Sequence, residues 1–235
     1  TLLTAADTFP AGSVHDTVST GISMEIVNDL IVERTEDFTL NLSIGSGQAT
    51  TTASNVYQID SDDTAAVSYS APNSSAPEAA TPHSVTALLT LGGTGTGTPS
   101  IEEPISVVIT EAAGTATTPA DYTLTTTLIS FPAASLNAAT APVSSAIVND
   151  ALIEGAHTFT LNFGTITTDM TGVSASGSHG VTITDDDFAG VTITQTAGST
   201  DVIEGSATDT FDIVLNAQPL SDVTITFDVG TQVTF

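Results

Sequence analysis

Ile147-Val148-Asn149-Asp150 repeats, letter for letter, the tetrapeptide Ile26-Val27-Asn28-Asp29, which stands 121 residues earlier (147 − 26). Each copy leads into alternating side chains, Asp37-Phe38-Thr39-Leu40-Asn41-Leu42 in one case and Thr158-Phe159-Thr160-Leu161-Asn162-Phe163 in the other. Alternation of period two marks a half-buried strand, because successive side chains of an extended chain point to opposite faces. Each strand is followed by an acidic cluster, Asp60-Ser61-Asp62-Asp63 and Asp185-Asp186-Asp187. Upstream, Thr8-Phe9-Pro10-Ala11-Gly12-Ser13 matches Ser130-Phe131-Pro132-Ala133-Ala134-Ser135 at an offset of 122, and Asp62-Asp63 matches Asp186-Asp187 at 124. Loop insertions produce a drift of that size, so the chain is a tandem array.

After each acidic cluster a new unit begins. Ala65-Ala66-Val67-Ser68-Tyr69-Ser70 corresponds to Ala189-Gly190-Val191-Thr192-Ile193-Thr194, Glu78 to Glu204, the segment 85–91 to 211–215, and Gly114-Thr115 to Gly230-Thr231. The register predicts one whole unit over 64–187, the second half of a unit over 1–63 and the first half of another over 188–235. Alternating segments near 65–70, 83–91, 104–111, 121–130, 143–149, 157–163 and 179–184 are separated by Gly, Pro, Asn and Asp clusters. That pattern predicts an all-β chain of tandem Ig-like antiparallel sandwiches. Gly92-Gly93-Thr94-Gly95-Thr96-Gly97-Thr98-Pro99 reads as turn material; no Lys follows it and no helix opens, so it is not a phosphate loop.

Composition narrows the function. There are 27 acidic residues against a single basic one, Arg34, for a net charge of −26. Binding to nucleic acid needs Lys and Arg to displace counterions from phosphates, so that partner is excluded. Such a charge reads either as a soluble acidic surface or, with Asp clustered at repeat-equivalent points and hardly any basic side chains for salt bridges, as neutralised by bound cations. Cysteine is absent, which removes disulfides, thiolate zinc sites and cysteine nucleophiles, and makes a bacterial or archaeal surface the easier home. No apolar run is long enough to span a membrane. The chain opens on Thr1 without initiator Met or signal peptide, as an excerpt or processed segment would.

The carboxylates fall at the same points of each unit. The whole unit offers Glu78 after its first strand, Asp121, Asn149 and Asp150 at a strand end, Glu154 four residues on, and Asp185, Asp186 and Asp187. Asn and Asp also serve turns, and Asn149-Asp150 alone reads equally as one. Three consecutive Asp repel one another at close range unless a cation sits among them. In a sandwich, loops remote in sequence meet at one end, and hard oxygen donors without His or Cys point to Ca2+ rather than zinc.

In order, Gly-Thr-Ala-Thr (114–117), Asp-Tyr-Thr (121–123), Phe-Pro-Ala (131–133), Ile-Val-Asn-Asp (147–150), Glu154, Phe-Thr-Leu (159–161) and Thr-Ile-Thr-Asp-Asp-Asp (182–187) resemble a Calx-beta domain. Sodium–calcium exchangers and many large bacterial surface proteins carry such domains. The resemblance covers 64–187 and both flanking pieces. It implies an Ig-like sandwich binding calcium through terminal loops, with ligand positions at Glu78, Asp121, Asn149, Asp150, Glu154, Asp185, Asp186 and Asp187. In the first piece these fall on Asn28, Asp29, Glu33, Asp62 and Asp63, with Glu36 a further position, and in the last on Glu204. Asn28 and Asn149 stand where an Asp is common, His157 where another acid is common, and Ser61 breaks one acidic triplet. Fewer charges imply fewer or weaker calcium ions, suited to millimolar extracellular levels.

Three classes of function follow. Catalysis finds no constellation: His15, His83, His157 and His179 lie in no catalytic motif, and no Gly-x-Ser-x-Gly elbow occurs. A ligand-binding adhesin module would contact cells or glycans, and Asn41-Leu42-Ser43 and Asn73-Ser74-Ser75 fit the glycosylation sequon, a weak motif. The reading adopted is a calcium-stabilised repeat of an extracellular, bacterial fibre or stalk whose partners are neighbouring copies of itself. Such a fibre forms either as a continuous array or by head-to-tail pairing of half sandwiches.

Overall fold

The structure, a computed structural model, describes residues 7–18, 23–43, 53–199, 202–205 and 208–228. The correspondence of Gly114-Thr115 with Gly230-Thr231 therefore lies outside the described residues. Three strands precede the central body: β1 (Asp29–Val32), β2 (Glu36–Leu42) and β3 (Ala53–Ile59). The body holds β4 (Thr64–Tyr69), β5 (Asn73–Pro77), β6 (His83–Gly92), β7 (Thr96–Ile101), β8 (Ile105–Ala113), β9 (Tyr122–Leu124), β10 (Leu128–Phe131), β11 (Thr140–Ile147), β12 (His157–Thr167), β13 (Val173–Ala175) and β14 (Ser178–Thr184). Beyond it come β15 (Val191–Gln195) and β16 (Phe211–Leu215). No helix among the described residues is long and apolar enough to cross a membrane.

Two five-stranded sheets, ordered β10-β8-β12-β14-β5 and β13-β4-β6-β11-β9, make the sandwich expected from the alternating segments. Val85, Ala87, Leu89 and Leu91 of β6 face Ile105, Val107 and Ile109 of β8 and Phe159 and Leu161 of β12 in one buried core. The Tyr122 and Phe159 rings stack at 3.8 Å between centroids. Aromatic residues are few, so the core is mostly β-branched and Leu side chains, which favour the pleated surface.

The structure departs from the sequence reading at five strands. The segment expected near 121–130 is two strands in different sheets: β9 pairs with β11, and β10 with β8. At the corner the Thr125 and Thr126 amides both donate to the Ser144 carbonyl, and the chain then crosses the sandwich. β5 and β13 add parallel edge strands to β14 and β4, and their polar, short sequences carry little alternation. The end of the stretch 92–99, expected as turn, opens β7 (Thr96–Ile101), whose partner is β1 of the preceding unit. A strand whose partner lies in another repeat leaves no local pattern.

That pairing forms a joint. β1 runs parallel to β7, with Asp29 opposite Thr96 and Val32 opposite Ile101. Val32 is fully buried in the core of the central sandwich, and the Glu102 amide donates to its carbonyl at 3.0 Å. The Thr171 amide donates to the Glu33 carbonyl at 3.2 Å, and Arg34 lies 3.5 Å from Glu102 and 3.4 Å from Glu103. A reduced version recurs downstream: Leu152 bridges Gln218 in parallel, and the Gln218 amide donates to the Ala151 carbonyl at 2.6 Å. Leu152 is the repeat equivalent of Ile31, 121 residues on.

Candidate metal centre

Parallel pairing of β5 with β14 sets Pro77 opposite Thr184, so the residues that follow both strands arrive together. The Glu78 amide donates to the Thr184 carbonyl at 3.0 Å, which fixes Glu78 beside Asp185. Carboxylate oxygens of Glu78, Asp185 and Asp187 lie within 4.8 Å of one another. Glu78 is buried, and its Oε2 and Asp187 Oδ2 have no hydrogen-bond partner. Asp185 is held from both sides, its Oδ2 accepting from the Glu154 amide at 2.6 Å and its Oδ1 from the Asp187 amide at 2.9 Å. Asp150 turns its own loop by accepting from the Leu152 amide at 2.7 Å.

Beside this group lie Asp121, Glu154 and His157, whose ligand atoms also fall within 4.8 Å of one another. Asp121 Oδ2 accepts from the Thr117 amide at 2.5 Å and hydroxyl at 2.9 Å, which leaves Oδ1 directed at His157. Asn149, Asp150 and Asp186 are exposed; Asp150 acts on the cluster through its charge on Glu78 and Asp187, and Asp186 through its charge on Asp187.

The first unit repeats the plan with less charge. Asp29 Oδ1 accepts from the Ile31 amide at 2.9 Å, as Asp150 does from Leu152. Ser61 takes the place of Asp185, its Oγ accepting from the Glu33 amide at 3.4 Å and the Asp63 amide at 3.3 Å. It reproduces those hydrogen bonds and contributes no negative charge. Asp63 is buried with Oδ1 unpartnered. Thr94, from the loop of the following sandwich, closes over the cluster: its hydroxyl donates to Asp62 Oδ2 at 3.3 Å and accepts from Asn28 Nδ2 at 3.4 Å. Glu36 is exposed and acts on the cluster only through its charge on Glu33. Glu204 is exposed and joins no group among the described residues. Sequence reasoning missed Thr94, whose contact crosses between repeats, and gave His157 no role beyond its departure from the family pattern.

The electrostatics agree with the geometry. Burial, and then the charges of Asp150, Asp185 and Glu154, push the Glu78 carboxyl above its ordinary range. Burial and then Asp185, Asp186 and Asp150 raise Asp187, and burial with Asp62 and Asp29 raises Asp63 against an opposing Thr94 amide. Glu33 rises by burial, Asp29, Glu36, Glu102 and Asp63. Buried carboxylates with unpartnered oxygens, crowded by like charge, are the donor set of an oxygen-coordinated divalent cation. Calcium held here would be bound by Glu78, Asp150, Asp185 and Asp187 in the central unit, and by Asp29, Glu33, Asp62 and Asp63 in the first.

These shifts fix a sign. Without cation, the folded carboxyls bind protons more tightly than the unfolded ones, so stability falls as pH rises through the window above the ordinary carboxylate range. Bound calcium reverses this by favouring the ionised forms. His83, lowered by burial and then by His179, loses stability below its ordinary value in both states and cancels in the difference. Melting temperatures with calcium and with chelator should therefore converge on acidification from pH 7 to about 4.5. A gap that stays constant across that range overturns the assignment of cation binding to these carboxylates.

Comparison with known proteins agrees with this architecture. The Calx-beta domain family matches residues 9–68 and again 60–187. Among solved structures, the apo-form Calx CBD1 domain is 18% identical, with 53% of this chain and 99% of that chain covered and a TM-score of 0.43. The calcium-binding domain CBD12 of CALX1.1 is 21% identical over 55% of this chain and 49% of that one, with a TM-score of 0.42. The E. coli chaperone DraB is 10% identical over 53% and 57%, with a TM-score of 0.34. No curated protein matches. With two overlapping matches that together span most of its length, a sandwich of the expected class and acidic groups at its ends, the chain belongs to the Calx-beta domain family.

Proposed function

We propose that this chain is a calcium-stabilised repeat segment of an extracellular fibre or cell-surface stalk, in which each sandwich grips the next through its acidic end. The joint carries this reading. Asn28 and Asp62 of the cluster that also holds Asp29, Glu33 and Asp63 hydrogen-bond Thr94 of the next unit, and Val32 is buried in the next unit's core. A cation at that cluster would tie two sandwiches together. The net charge of −26 and the Calx-beta class favour a calcium-rich extracellular setting. The recurrence of the joint at Leu152 and Gln218 favours a continuous array.

One observation supports the second mode of assembly. The hairpins β2–β3 and β15–β16 expose Leu42, Val56, Ile193 and Val214, apolar residues that a complementary half sandwich would cover. A chain of two or four copies of the 235 residues distinguishes these modes by small-angle scattering. The array reading expects a maximum dimension that grows with copy number in calcium and a broadened, more compact distribution in chelator. Particles whose dimension ignores calcium overturn the proposed joint. Single copies that polymerise with concentration establish complementation instead.

A further inference from the structure

The imidazole of His157 turns toward the carboxylates. Its Nδ1 lies 3.4 Å from Asp121 Oδ1 and 3.6 Å from Glu154 Oε2, is shielded from solvent, and has no hydrogen-bond partner. The other histidines are engaged differently. His83 and His179 both meet the Ser74 hydroxyl, at 2.8 and 2.7 Å, and His179 Nδ1 lies 2.7 Å from the Ala71 carbonyl. His15 meets the single exposed carboxylate of Asp16. Only His157 brings a ring nitrogen to two carboxylates that converge from separate elements. Asp121 opens β9, Glu154 sits in the loop after β11, and His157 begins β12 opposite Ile183 of β14.

We propose that Asp121, Glu154 and His157 form a site for a borderline divalent ion of the zinc and cobalt class, beside the calcium-type group of Glu78, Asp150, Asp185 and Asp187. Spacing admits such an ion: ligand atoms about 3.4 Å apart are the edges of a tetrahedron with bonds of about 2.1 Å. The donor set then decides between metals. Calcium takes oxygen and discriminates against nitrogen, whereas one imidazole with two carboxylates suits zinc, cobalt and iron. The outer contacts are those of a built ligand, because Thr117 holds Asp121 through Oδ2 by amide and hydroxyl and leaves Oδ1 for the ion. Glu154 links the two groups, with its amide on Asp185 and its carboxylate facing His157. The centre would hold two unlike ions, and the inference stands apart from the calcium reading.

The test is calorimetric titration of zinc into the full chain held in saturating calcium, with cobalt absorption as the spectroscopic check. One zinc event per chain is expected, weakened at least tenfold by His157→Ala, while the melting shift on calcium addition persists. His157→Gln should give the same loss and serves if the Ala variant fails to fold. His157→Glu should abolish the zinc event and add calcium uptake. A zinc isotherm unchanged by His157→Ala and His157→Gln, or one that saturating calcium eliminates, overturns the proposal. A persisting zinc event with no calcium-dependent melting shift would instead sink the calcium reading and leave this one intact.

Discussion

Removal of calcium with EGTA should lower the melting temperature of this protein by about 5–10 °C for each site that is well saturated beforehand. A ligand at a hundred times its dissociation constant stabilises by about 2.7 kcal/mol. In a chain of this size each kcal/mol moves the melting point by about 2–4 °C. The effect is large because the chain has few other means of neutralisation. Arg34 is the single basic residue beside 27 acids, and it is occupied with Glu102 and Glu103. Glu78 locates the effect: it is buried, one of its oxygens is unpartnered, and Asp150, Asp185 and Glu154 act on it together. Glu78→Gln removes one like charge from the cluster, so the chelated protein should melt no lower than the parent, while the calcium-dependent rise shrinks. Differential scanning calorimetry of both proteins, with and without EGTA, reads this directly. A parent melt that ignores EGTA ends the calcium assignment for both units.

The sequence carried the architecture where each feature repeats or alternates, and lost it where a contact has no local signature. Alternation in 85–91, 105–109 and 157–163 located the central strands because one face of each is buried and the other is not. The recurrence of Asn-Asp, Glu and the Asp cluster pointed to residues that the fold brings near one another, since equivalent positions of equivalent units meet at equivalent loops. Asp150 and Asp29 make the same turn, and Asp185 and Ser61 the same two hydrogen bonds, as that argument requires. Asn149 and Asp186 share the pattern and are exposed, as Asp150 is, but Asp150 also acts through its charge on the buried Glu78. What escaped the sequence is relational. β7 becomes a strand only because β1 of the preceding unit lies beside it, and Thr94 reaches an acidic cluster more than 30 residues earlier in the chain. His157 stood out as a missing acid, but only three-dimensional convergence gives its ring nitrogen two carboxylates to face.

Gly95→Ala should open the pairing of β1 with the central sandwich. Gly95 has φ of +145°, a region that residues with a side chain avoid, and an added Cβ would collide with the carbonyl oxygen of Asp29. That carbonyl belongs to the backbone of β1, so no side-chain rotation can relieve the overlap; either the loop or β1 must move. Movement of β1 withdraws Val32 from the core, and exposing a buried Val costs about 1.5–3 kcal/mol. With backbone strain added, the joint should weaken by about 2–4 kcal/mol. Hydrogen exchange reads this at the Thr96 and Glu102 amides, which donate to Asn28 and Val32. If these open through the joint, their protection should drop roughly thirty- to several-hundred-fold, at tenfold for each 1.4 kcal/mol. Amides of β11 and β12 should keep theirs, because their ladders lie inside the central sandwich. Gly97→Ala separates strain from collision: Gly97 also has positive φ, +113°, but its added Cβ meets nothing within 4 Å. It should cost only the backbone term and leave β1 in place. Equal loss of protection in the two variants would mean that loop strain alone governs the joint; normal protection in Gly95→Ala would mean that its contact with Gly95 does not hold β1 in place.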